Sequence, residues 1–290
     1  MIFNHRFAIM NSISDLLNYT TVRLECTNFD GSISYGTGFF YKFNVQTDGR
    51  CCYVIITNKH VIKGSKSAIL HLTHQTLNGE PDNGNHASIV FNDEFDSFEN
   101  RWVMHPDEEV DLCAMGTTDV HSAFKQLFGH NAMIFALGKE HIPSNEDLSR
   151  LSSIEDVVMV GYPNGIWDKK NNRPIFRRGI TATHPFFDYD GKREFLVDIS
   201  CFPGSSGSPI LIVKDGFIHD NKLSEDIIMK NLYLLGVNYA VFVQEQDWNI
   251  KQINIPSSLN YMNKTTIPIN LACIIKAERI LELEKVFSGR

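Results

Sequence analysis

The segment Cys201-Phe202-Pro203-Gly204-Ser205-Ser206-Gly207-Ser208-Pro209 decides how the rest of this chain is read. Phe195-Leu196-Val197-Asp198-Ile199 runs into it and Ile210-Leu211-Ile212-Val213 runs out, so two strand-like stretches flank a tight Gly/Ser turn. Such a turn can hold a serine hydroxyl clear of its neighbours while backbone N–H groups converge on one point. Acyl transfer needs that combination: an exposed nucleophile beside donors for a developing oxyanion. An ordinary hairpin loop has the same composition, and the surrounding sequence must separate the two readings.

Working outward, the chain has 290 residues, enough for one large domain or two smaller ones. Hydrophobic residues make up 43% of it, so a sizeable core is available. Net charge is −7 with no long basic run, which argues against nucleic acid or an anionic membrane as the main partner. No apolar run approaches the roughly 20 residues that cross a bilayer. The first residues lack the pattern of a secretory signal. Cys26, Cys51, Cys52, Cys113, Cys201 and Cys273 include no C-x-x-C pair, and most sit in apolar runs. They read as reduced thiols of a cytoplasmic protein, neither a disulfide framework nor a metal site. No metal or organic cofactor is implied.

Short strand signals follow one another at the spacing of an all-β barrel or sandwich. Thr20–Cys26, Ser34–Phe43, Cys52–Thr57, Ala68–Leu72, Ser88–Phe91, Arg101–Met104 and Leu112–Met115 come first. Residues 74–86 are polar, with turns expected at Asn78-Gly79 and Asn83-Gly84. The rhythm breaks between about Ser122 and Ile154 and resumes at Asp156–Pro163, Arg178–Thr183, Phe195–Ile199, Ile210–Val213 and Tyr233–Phe242. The expected organisation is an N-terminal arm or helix over residues 1–18 and a first barrel over 19–140. A linker over 141–155, a second barrel over 156–268 and a closing helix over 269–290 complete it. That last element packs on the second barrel or forms an oligomer seam; strict heptads are missing.

A serine nucleophile needs a base within hydrogen-bond reach and a carboxylate to orient that base. His60 follows the strand-like run Tyr53–Thr57 through Asn58-Lys59. The other histidines lie in polar or irregular contexts, and His71 and His74 do not share a helical face. Asp111 opens the apolar run Leu112–Met115, whereas Asp107, Glu108 and Glu109 belong to a charged, solvated run.

In their order, Gly36-Thr37-Gly38-Phe39-Phe40, Thr57-Asn58-Lys59-His60-Val61, Asp111-Leu112-Cys113-Ala114-Met115 and Gly204-Ser205-Ser206-Gly207-Ser208-Pro209 resemble the motifs of the chymotrypsin-fold (trypsin-like) serine peptidases. Bacterial high-temperature-requirement proteases and related intracellular trypsin-like domains look nearest. The gaps of 51 residues from His60 to Asp111 and 95 from Asp111 to Ser206 suit that family. The resemblance spans roughly residues 19–285. It implies two packed six-stranded antiparallel β-barrels. It implies a Ser206 nucleophile, a His60 base, an Asp111 orienter and an oxyanion hole from the N–H groups of Gly204 and Ser206. It places Ser200 at the floor of the specificity pocket and Tyr239, Ala240 and Val241 along one wall. With no floor carboxylate, and Val241 where glycine would leave room, it implies a small or medium aliphatic residue before the cleaved bond. Ser205 replaces the aspartate that pairs with a newly cut N-terminus in zymogen-type members, so no activation by N-terminal trimming is expected. Inserts at 164–174, 214–231 and 244–264 are expected to border the cleft. The functional expectation is an endopeptidase for one or a few protein substrates, restrained by a regulatory partner; a catalytically silent binding module is the alternative.

Overall fold

The computed structural model describes residues 12–46, 48–214, 232–245, 249–257 and 266–288. Residues 1–11 of the expected arm, nearly all of the 214–231 insert and parts of the 244–264 insert lie outside that set. After the short helix α1 (Ile13–Leu17) the described chain is mostly β structure. The first sheet is built from β1 (Thr21–Asn28), β2 (Ile33–Phe43), β3 (Cys52–Thr57), β4 (Ser65–Gln75), β5 (Pro81–Phe91), β6 (Val103–Met104) and β7 (Cys113–Gly116). Its spatial order is β5-β4-β1-β2-β3-β7-β6, with every neighbouring pair antiparallel. A one-turn helix, α2 (Lys59–Ile62), follows β3.

The second sheet contains β8 (Asp156–Gly161), β9 (Ile175–Thr181), β10 (Glu194–Asp198), β11 (Pro209–Val213), β12 (Leu232–Glu245), β13 (Ile250–Asn254) and β14 (Thr266–Lys276). Its order is β11-β8-β9-β10-β14-β12-β13, and a further β11–β12 pairing closes six of the strands into a barrel. The expected all-β, chymotrypsin-type fold of two packed antiparallel sheets is present, but among the described residues only the second sheet closes into a six-stranded barrel, and each sheet has seven strands where six were expected. In the second sheet the added strand is β13.

Alternation explains how the sheets pack. Along β2, Phe39, Tyr41 and Phe43 face the second sheet, where they meet a cluster containing Leu211, Leu234, Val237 and Ile275. Phe40 points the other way, into a first-sheet core with Val22, Leu24, Ile55 and Leu70. Val54 and Ile56 join the inter-sheet cluster while Ile55, between them, joins the first-sheet core. This is the period of two that pleating imposes. A third cluster fills the second barrel with Val157, Phe195, Val197, Ile210 and Ile274.

The structure also corrects the expected organisation at residues 269–276 and at Asn83-Gly84. Residues 269–276 are strand, not helix: the β-branched run through Ile274 and Ile275 pairs with β10 and β12 and closes the second barrel, so that barrel extends to Lys276. The helix is confined to the end, where Ile280 and Leu283, three residues apart, share one buried face. The turn expected at Asn83-Gly84 is absorbed within edge strand β5. Gly84 sits at φ +81°, and the pairing with β4 jumps from Thr73–His86 to Gln75–Pro81. Between the sheets, α3 (Thr118–Phe128) and α4 (Asn145–Ser149) supply the helical break, and α5 (Arg279–Ser288) ends the described chain. Bridges from Tyr41 to Leu137 and His74 to Ala132 tie the 130s to the first sheet.

Packing also buries titratable groups. Burial pushes His74, His105, His121 and His141 below the ordinary imidazole value. The unfolded chain binds protons at about pH 6.5 that the folded chain refuses, so stability is whole above that pH and is lost as pH falls through it. Thermal unfolding at pH 7.5 and 5.5, a window in which free carboxylates stay ionised, is expected to give the lower Tm at pH 5.5. An equal or higher Tm at pH 5.5 would contradict this.

Candidate active site

His60 sits in α2, directly after β3. Asp111 lies in the loop before β7, the strand paired with β3. The two side chains thus come from neighbouring strands of the first sheet. Asp111 holds His60 twice: Oδ1 accepts the His60 backbone N–H at 3.1 Å, and Oδ2 faces ring Nδ1 in a short contact. Asn58, fully buried, donates from Nδ2 to the Asp111 carbonyl at 2.7 Å and ties the two loops together. On the outer side, Lys59 Nζ donates to the Asp107 carbonyl at 3.0 Å.

Ser206 comes from the second sheet. Its Oγ lies 2.8 Å from His60 Nε2, so a base, its orienting carboxylate and a hydroxyl stand in one line. The turn that presents it is no hairpin loop. β10 pairs with β9 and β14, β11 pairs with β8 and β12, and the two flanking strands are not partners.

Each carbonyl from Phe202 to Ser206 is tied down. Phe202 O accepts from Ser205 N–H, Pro203 O from Asn164 N–H, and Ser205 O from Ser208 N–H and Asn238 Nδ2. Gly204 O accepts from Thr37 Oγ1 at 2.9 Å and Ser206 O from Thr37 N–H at 2.9 Å. Among the described residues no protein acceptor takes the N–H of Gly204 or of Ser206. Gly204 and Gly207 adopt φ +88° and +82°. A Cβ would collide with the Tyr162 carbonyl at the first and the Thr37 carbonyl at the second, so both positions demand glycine.

Thr37 is the residue that sequence reasoning underrates. Besides its two bonds to the turn, its Oγ1 accepts the Tyr162 N–H at 3.1 Å and its carbonyl accepts Thr57 Oγ1 at 2.8 Å. A small polar residue between two glycines of an apolar strand is the available signal. Asn58 gives no comparable signal, because its partner is a backbone atom 53 residues away.

The expected pocket residues are only partly gathered. Ser200 lies half-buried just past β10. Ala240 and Val241 pair with Asn254 and Ile253 of β13, and the Tyr239 carbonyl accepts the Ile255 N–H at 3.1 Å. The Tyr239 side chain is turned away from that wall: its hydroxyl donates to Glu194 at 2.9 Å and accepts from Gln252 at 2.6 Å. Burial, reinforced by the Glu194 carboxylate, raises the Tyr239 phenol. Ser205 is buried, and its Oγ accepts the Phe202 N–H at 3.4 Å, with no charge involved.

A sequence profile of the trypsin-like peptidase domain matches residues 36–218, more than half of the chain. The chain belongs to the trypsin-like peptidase family and is a serine protease of chymotrypsin-type fold. A search of curated protein sequences returned no match. Among solved structures, the HtrA-type protease AlgW with a tripeptide is 14% identical with a TM-score of 0.46, covering 95% of this chain and 63% of that one. An inactive form of Rv3671c from M. tuberculosis is 12% identical at TM-score 0.43, covering 96% and 91%. A serine endoprotease from Yersinia pestis is 15% identical at TM-score 0.43, covering 95% and 66%. The chain thus spans about two thirds of the length of two of these three.

Removing the Thr37 hydroxyl leaves the Gly204 carbonyl and the Tyr162 N–H without a partner while the shape is kept. Thr37→Val is expected to destabilise the fold by about 1–3 kcal/mol. It is also expected to lower peptidase kcat more than it raises KM, measured by denaturant unfolding and steady-state kinetics. A variant as stable and as active as the parent would contradict the role given to Thr37.

Proposed function

We propose that the chain is an endopeptidase in which Ser206 Oγ attacks a peptide carbonyl and forms an acyl-enzyme. His60 Nε2 takes the hydroxyl proton and returns it to the leaving amine. Water then repeats the sequence in reverse roles to release the acid. Asp111 fixes the imidazole tautomer through Nδ1–H and stabilises the imidazolium. The N–H groups of Gly204 and Ser206 receive the oxyanion. The observation that carries this reading is the 2.8 Å approach of His60 Nε2 to Ser206 Oγ, with Asp111 on the other ring nitrogen. The carbonyl-locked turn supports the oxyanion assignment, since it leaves two N–H groups free for a ligand.

On this reading the substrates are proteins or peptides, few in number, with a small or medium aliphatic residue before the cleaved bond. Val241, buried against the second-barrel core, favours that size range over aromatic side chains. The six cysteines are free thiols, which suits a cytoplasmic setting. A peptidase in that setting calls for restraint, in the first instance by a partner protein.

A fluorogenic peptide series varied before the scissile bond tests this. Val, Ile and Ala peptides are expected to be hydrolysed faster than Arg or Phe peptides. Ser206→Ala is expected to abolish turnover, and Asp111→Asn to lower kcat about 10^4-fold. Ser206→Ala hydrolysing peptides at the parent's rate would overturn the assignment, and rapid cleavage after Arg or Phe would overturn the specificity.

A further inference from the structure

β12 is 14 residues long and its neighbours change along it. Leu232–Val237 pair with β11 on one edge. Beyond Val237 that edge would be open, and β13 fills it, pairing Ala240 with Asn254, Val241 with Ile253, Phe242 with Gln252 and Val243 with Lys251. The pairing continues past β13 in the direction of the nucleophile. Ile255 N–H donates to the Tyr239 carbonyl at 3.1 Å, and the Ile255 carbonyl lies 3.3 Å from Ser206 Oγ. Two residues on, the Ser257 carbonyl accepts the Tyr35 N–H of the first sheet at 2.6 Å. One extended segment thus crosses from the second sheet to the first, with a peptide carbonyl against the serine hydroxyl between them. Ile255 is 1% exposed and joins the apolar cluster of Ile199, Cys201 and Val241, while Ser206 is itself fully buried.

We infer that residues 250–257 lie in the cleft as a resident substrate mimic, with Ile255 in the specificity pocket, its carbonyl oxygen 3.3 Å from Ser206 Oγ but not on the N–H groups of Gly204 and Ser206, and the Ile255–Pro256 bond beside the position of the bond to be cut. The inference rests on the endopeptidase reading of Ser206 and His60. A strand that merely covered an edge would have no need to set a carbonyl against Oγ or to bond both sheets. The mimic also states what the site accepts: an extended chain that adds to the edge of β12 and places a β-branched aliphatic side chain before the cleaved bond.

Pro256 explains why such a segment survives. Cleavage would join Ser206 Oγ to the Ile255 carbonyl carbon, break the bond to the residue 256 nitrogen, and deliver the serine proton through His60 to that nitrogen. In proline the nitrogen is locked in a ring with its own side chain. It cannot readily pyramidalise and turn its lone pair toward His60. A true substrate must displace the segment, so apparent affinity is reduced by the fraction of molecules in which the cleft is open.

Two variants in the 290-residue chain test this against the Ile-containing fluorogenic peptide. Pro256→Ala supplies a leaving nitrogen free of the ring. On incubation it is expected to split between residues 255 and 256, seen by mass spectrometry, and the split is expected to vanish with Ser206→Ala added. Ile255→Asp places a carboxylate in the apolar pocket and is expected to raise kcat/KM about 10–100-fold by emptying the cleft. The inference is overturned if Pro256→Ala stays whole while hydrolysing the peptide at the parent's rate, whether or not Ile255→Asp folds. If none of the folded proteins hydrolyses any peptide or reacts with a fluorophosphonate, the endopeptidase reading fails and takes the inference with it.

Discussion

The two sheets are joined at the reactive turn through Thr37. Its N–H and hydroxyl hold two successive stretches of the 202–206 turn, its hydroxyl also takes the Tyr162 N–H, and its carbonyl takes the Thr57 hydroxyl one turn from His60. A hydroxyl on the second sheet and an imidazole on the first can stay 2.8 Å apart only if the sheets keep a fixed offset. Apolar packing between Phe39, Tyr41, Leu211 and Val237 brings the sheets together, yet it is non-directional and tolerates small slides. The bonds of Thr37 are directional, fully buried and shared by both sides, so they set the register that packing leaves loose.

The same logic governs the turn itself. A chain that points five consecutive carbonyls outward must reverse sharply, and Gly204 and Gly207 allow that through φ values an L-side chain resists. What remains inside is a pair of N–H groups beside Ser206 Oγ. Among the described residues these two N–H groups have no protein acceptor, while the neighbouring carbonyls are all used elsewhere. On the proposed mechanism an anion is received by such unpaired donors, with no charged side chain involved.

Much of this is legible in the sequence because it is local. The strand runs on each side of Ser206, the His60 that ends an apolar strand and the Asp111 that opens one each carry their own signal, and their order and spacing suffice for the fold. Other features depend on partners distant in the chain. The 269–276 stretch reads as helix until β10 and β12 flank it. Gly84 reads as a turn until β4 absorbs it as a bulge. Asn58 is an unremarkable polar residue until the Asp111 carbonyl stands opposite. The strand at 250–254 reads as loop, since Lys251, Gln252 and Asn254 dilute its apolar alternation. Only the free edge of β12 draws it into the cleft. Strand position puts Tyr239 in β12 and says nothing of where a side chain at a register shift turns.

On the proposed mechanism His60 makes Ser206 a nucleophile in a cleft held between the sheets. Fluorophosphonate labelling of the Ile255→Asp protein, read by intact mass and localised by peptide sequencing, addresses it without choosing a substrate. A single adduct on Ser206 is expected, and it is expected to be lost when His60→Ala is added to the same folded protein. An adduct that forms equally well without His60, or a folded protein that takes no label, would contradict that mechanism.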